Sequence, residues 1–260
     1  MEAWGVLRCA AMPPPMAADL VREVVRVFDA SGVDLTALGL AWARVTPTVV
    51  LVPAFGLRAL PPAARGVLGL MLAVSIAPAL GVVASPSLAL PWPVLALGEV
   101  VRGVPIAIAA AVPLWAATMA GGVVDALRGS QESVTVPTVE GRATPLGVPL
   151  SLLACAIFLS TGGPARVVRA LAAAGTAAPG LGPVVACARD LASGVGLAVA
   201  IGAPLLVAAI VLEIGAALVA RAATPAQVHA LMAPVRALGI LAVMAVVLDR
   251  MAWVMAAAMR

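Results

Sequence analysis

Residues 91–129, PWPVLALGEVVRGVPIAIAAAVPLWAATMAGGVVDALRG, decide how the rest of the chain is read. From 103 to 124 the stretch runs for 22 residues without a charge. About 20 apolar residues suffice to cross a hydrocarbon core of about 30 Å. At 39 residues the whole stretch exceeds one straight crossing, so Pro105 or Pro113 is expected to kink or split it. Glu99 and Arg102 stand at i and i+3 near its start, a spacing that lets them pair within one helix. An ion pair at that position suits a helix packed against protein better than one bathed in lipid.

The same pattern recurs on both sides. Uncharged runs at 66–98, 143–165 and 191–212 are each long enough for a spanning helix. The chain is 63% hydrophobic and 11% charged, with a mean hydropathy of +1.12. Soluble domains lie nearer half apolar and a quarter charged. The expected fold is therefore all-α, a polytopic helical membrane protein with about six hydrophobic helices broken by Pro and Gly. So few polar residues leave no room for a separate soluble domain, and residues 1–260 are expected to form one membrane-embedded unit.

The net charge of +4 comes from arginine alone, since the chain has no lysine. The arginines are scattered singly with almost no aromatics beside them, which speaks against nucleic-acid binding. Cys9, Cys155 and Cys187 form no CxxC and no Cys/His grouping, so neither a disulfide framework nor a metal site is expected. His229 is the one histidine, and no GxSxG, HExxH, Walker A or GxGxxG motif is present. No catalytic residue, cofactor or metal ligand can be nominated, and the chain is not expected to be an enzyme. A subunit of a membrane complex remains, with a small-solute polytopic transporter as the alternative. Matching halves with equivalent helix breaks, common in secondary transporters, are not evident.

In chain order, residues 1–32 read as a tail and a short amphipathic helix, with Leu20, Val24, Val27 and Phe28 on one face and Arg22 and Arg26 off it. A first hydrophobic helix at 33–57 carries Arg44, which near mid-span costs at least ~2.5 kcal/mol unless it snorkels or finds a partner. A second covers about 66–83, and 125–144 is the most polar loop. A helix at 145–159 stops at Thr161-Gly162-Gly163-Pro164, followed by a short amphipathic segment with Arg166 and Arg169. Residues 33–175 thus form an N-terminal helical part. Residues 183–259 read as a helical hairpin: 184–220 broken by Pro204, a turn at 221–225, and a return at 227–259. The return carries the adjacent Asp249 and Arg250, and only 12 residues (237–248) lie free of charge there. That is short for a span surrounded by lipid and suggests burial in an assembly.

The order of these features resembles the FliR/SctT family, the export-gate subunit of flagellar and injectisome type III secretion systems. The resemblance runs through Arg44, Pro53-Ala54-Phe55-Gly56, Leu60-Pro61, Arg65 and Pro78. It continues through Glu99 with Gly103, Ala120-Gly121, Gly129 and Pro145-Leu146-Gly147. It ends with Phe158-Leu159, Gly162-Gly163, Pro204, Arg221, Pro225 and Gln227. It implies a non-enzymatic channel subunit of the bacterial inner membrane, in contact with lipid, that passes unfolded export substrates. Its implied neighbours are FliP/SctR-like, FliQ/SctS-like and FlhB/SctU-like subunits. Arg44, Pro53, Phe55, Glu99, Gly103, Gly121, Gly129, Pro145, Gly147, Pro204, Arg221 and Pro225 become candidates for packing or subunit contact. Arg44, Glu99 and Asp249 would then face neighbouring subunits or an aqueous lumen.

Overall fold

In a computed structural model of the chain, the residues described are Asp19, Arg22, Glu23, Arg26, 34–55, 61–81, 91–127, 144–174, 181–222 and 225–259. Among them the fold is helical throughout, with no strand. The helices are α1 (Leu35–Leu51), α2 (Pro62–Gly81), α3 (Trp92–Leu127), α4 (Gly147–Ser160), α5 (Gly163–Ala173), α6 (Leu181–Ala222) and α7 (Pro225–Ala258). A short 3-10 turn at Pro53–Phe55 follows α1. Most of the expected N-terminal amphipathic helix, Gly129 and the greater part of the polar loop lie outside the described residues.

Local chemistry sets several of the ends. Asp34 caps α1, its Oδ1 accepting from the amides of Thr36 (2.8 Å) and Ala37 (3.2 Å). Val52 precedes Pro53 and is forced to extended backbone, which ends α1 short of the expected limit at 57. Between α4 and α5 the chain turns by 66°. Gly162 makes that turn at φ 73°, a left-handed conformation open to glycine at no steric cost. The stop expected at Thr161–Pro164 is therefore a corner with a second helix behind it.

The prolines do not split either long helix. The 36-residue α3 runs unbroken through Pro105 and Pro113, and the 42-residue α6 runs unbroken through Pro204. Each proline removes one amide donor. Packing along the helix outweighs that loss: α3 touches α1, α4, α5, α6 and α7, most extensively α6 and α1. Its buried positions are mostly small, with Ala107, Ala111, Ala117 and Ala120 fully enclosed. Such faces let backbones approach closely, which drives helix association where no hydrophobic effect operates between helices and lipid.

Among the described residues four helices are long and apolar enough to cross a membrane, or five spans if the bent pair α4–α5 counts as one. The fold is thus an α-helical, multi-pass membrane architecture organised on α3. The hairpin α6–α7 packs against it from one side.

Candidate functional site: a buried ionic hub

Three helices bring their charged or polar groups to one point. Arg44 of α1 is fully buried and Glu99 of α3 is 5% exposed. The Arg44 Nε donates to Glu99 Oε2 at 2.6 Å, and Nη2 lies 2.5 Å from the same oxygen. The Arg44 Nη1 donates to the carbonyl oxygens of Leu171 and Ala174, both at 2.9 Å. These carbonyls belong to the last turn of α5 and its C-cap, where a helix leaves acceptors without amide partners and carries a partial negative charge. The other carboxylate oxygen, Glu99 Oε1, accepts from Arg102 Nη1 one turn further along α3.

The planar guanidinium fork suits this role, because its donors point in fixed, divergent directions. One face of Arg44 meets a carboxylate and the other meets a helix end. The desolvation cost of the buried charge is thereby offset within the chain. The i, i+3 pairing of Glu99 with Arg102 is as expected. The placement of Arg44 and Glu99 is a correction: they do not face other subunits or a lumen but face each other. Their partners lie 55 and 127 residues from Arg44 along the chain, distances over which no local spacing rule acts.

Gly103 makes the hub possible. A Cβ there would sit 2.1 Å from the Arg44 carbonyl oxygen and 3.3 Å from Pro47 Cγ. Only a residue without a side chain lets α1 and α3 cross that closely.

A second junction ties α3 to α4. Asp125 is fully buried, and its Oδ2 accepts from the Leu146 amide at 2.6 Å. Leu146 is the N-cap of α4 and has no side-chain capping bond of its own, so Asp125 supplies the cap from another helix. Gly121 meets Gly147 at the same place, where a Cβ on Gly121 would lie 2.5 Å from the Gly147 Cα. Pro145 sits in the turn just before. Phe55, in the 3-10 turn opened by Pro53, meets Phe158 of α4 edge to face, with ring centroids 6.4 Å apart.

The hairpin candidates gather elsewhere. Pro204 is half-buried inside α6, Arg221 is exposed in its last turn, and Pro225 opens α7. Asp249 and Arg250 are exposed on α7. Glu213 and Arg236 bridge the two helices at 2.8 Å. Sequence reasoning passed over Asp125 and the carbonyls of Leu171 and Ala174. The one available signal for Asp125 was a carboxylate at the end of a long apolar run. Among the described residues no three His, Cys, Asp or Glu side chains are grouped to hold a metal ion.

The fold and hub define a class: a multi-pass helical membrane protein whose N-terminal helices are locked by internal ion pairing. Residues 35–260 match the family described as bacterial export proteins, family 1. The chain belongs to that family, the FliR/SctT family of type III secretion. It is also similar to the secretion system apparatus protein SsaT of Salmonella typhimurium (strain LT2), at 40% identity over 73 residues. That match covers 28% of this chain and 28% of the relative.

Proposed function

We propose that the chain is a non-enzymatic subunit of a type III secretion export gate in the bacterial inner membrane. There it helps to form the channel for unfolded secreted proteins. The observation that carries this reading is family membership across nearly the whole chain. The dimensions of α6 support it. At about 1.5 Å per residue this 42-residue helix is about 63 Å long. A hydrocarbon core is only about 30 Å thick. Large apolar side chains are exposed near both of its ends, Val184 and Val185 at one and Leu218 and Val219 at the other. Lipid can cover only about half of that length, so the rest calls for protein neighbours. FliP/SctR-like and FliQ/SctS-like helices would supply the cover, with a FlhB/SctU-like subunit at the entrance.

The test is an in-frame deletion in the native organism, complemented with a tagged copy. Secretion of export substrates should stop in the deletion and return with the copy, and the tag should retrieve the other membrane subunits. Undiminished secretion in the deletion, or a stable lone chain that transports a small solute, would overturn the proposal.

A further inference from the structure

The corner between α4 and α5 leaves a groove that the ionic hub does not use. It has a volume of about 230 Å³, is open on one side, and is bounded by Ile106, Ala110 and Pro113 of α3, Phe158 of α4, Val167 of α5 and Met259 just after α7. Apolar cavities of about 150 Å³ already hold a benzene-sized guest and stay dry. This groove is larger but open to one side, and its mostly apolar lining suits a hydrocarbon chain. One charged side chain enters the lining, the half-buried Arg166, whose Nη2 donates to Thr161 Oγ1 at 3.2 Å.

The helix that carries Arg166 has the build of an interfacial segment. Val167 and Leu171 of α5 are buried one turn apart, while Arg169 is exposed and Arg166 half-buried. At about 1.5 Å per residue its 11 residues span about 16 Å, too short to cross a bilayer, and it leaves α4 at 66°. A short amphipathic helix with arginines on its polar side, turned across its neighbour, suits the boundary between headgroups and acyl chains. That boundary places a cation beside the mouth of an apolar groove, the arrangement an anionic lipid presents in complement.

We propose that this groove holds an acyl chain of an anionic phospholipid whose phosphate rests on the Arg166 guanidinium. The site depends on the chain being embedded in a membrane and not on its role in export.

The full-length chain, or its complex if it purifies only with partners, is equilibrated with vesicles of equal phosphatidylglycerol and phosphatidylcholine. Lipid retained after mild detergent extraction is then measured by native mass spectrometry. The wild type should retain phosphatidylglycerol preferentially. Arg166→Gln should reduce that preference about fivefold while leaving a lipid bound, and Arg166→Lys should restore it. Ala109 lines the groove from an exposed position, so Ala109→Trp should block the groove and lose lipid of both kinds without disturbing the core. Thermal unfolding of each variant serves as the folding control. Equal retention of the two lipids by the wild type would overturn the proposal. So would an unchanged preference in Arg166→Gln. Displacement of the lipid by inorganic phosphate alone would mark a soluble-anion site instead, and a photo-crosslinker at position 109 that captures only protein would assign the groove to a subunit.

Discussion

The helices α1–α5 and the hairpin α6–α7 spend their few polar residues in opposite ways. In the first group Arg44, Glu99 and Asp125 are buried and answer one another or a helix end. In the hairpin Glu213, Arg221, Asp249 and Arg250 are exposed. Some glycines mark the closest crossings and others do not. A Cβ at Gly103 or Gly121 would strike backbone, whereas one at Gly196 or Gly215 would meet open space. The hairpin is held only along its inner side, where Gly194 faces Val112 of α3. The first group thus answers its central charges within the chain, whereas the hairpin leaves most of its own exposed.

The sharpest way to break this contrast is at the hub. Glu99→Leu would leave two arginines facing each other and should destabilise the fold by about 3–5 kcal/mol, read as lost folded protein in detergent. Adding Arg44→Met removes the stranded charge and should recover part of that loss. A double variant no better than Glu99→Leu alone would deny that the ion pair is the joint. Next in size, Gly103→Ala should cost about 1–3 kcal/mol by overpacking. Gly215→Ala should instead stabilise the isolated chain by about 0.5–1 kcal/mol, the helix cost of glycine. Thermal unfolding of the two in one detergent should therefore shift in opposite directions, and shifts of the same sign would erase the distinction.

Asp125→Ala leaves the Leu146 amide unmet and should cost about 1–3 kcal/mol. Asp125→Asn keeps an accepting oxygen and should cost less, a difference visible in the same melting experiment. The smallest effect belongs to the hairpin. Glu213 and Arg236 have side chains 53% and 30% exposed. Arg236→Ala should therefore change stability by only about 0.2–1 kcal/mol. A loss as large as that from Glu99→Leu would place a second hub in α6–α7.

The helical class and one arm of the hub were legible in the sequence, but the contrast between the two groups was not, since Arg44, Glu99 and Asp249 read alike there. Apolar run lengths defined the helical membrane class, and the i, i+3 spacing paired Glu99 with Arg102. The Thr161–Pro164 sequence marked a stop, and the structure adds that the chain turns there into α5. Run lengths could not tell whether a proline divides a helix. Continuity through Pro105, Pro113 and Pro204 is decided by neighbours packed alongside, which are remote in sequence. The identity of Arg44's partners was hidden for the same reason: a charge in an apolar run announces that it needs a counter-ion but not which one. Asp125 looked like an ordinary loop carboxylate because the amide that it caps belongs to the next helix.

The reach of Arg44 has a consequence for how the protein is made. Ribosomes add about 5–20 residues per second. Arg44 therefore emerges roughly 3–11 s before Glu99, which lies 55 residues later. It emerges roughly 6–25 s before Leu171, 127 residues later. During that interval the first helix carries a naked cation that the bilayer interior rejects. The joint that Arg44 makes therefore closes only when Glu99 and the end of α5 have been made, so α1 gains its final contacts late.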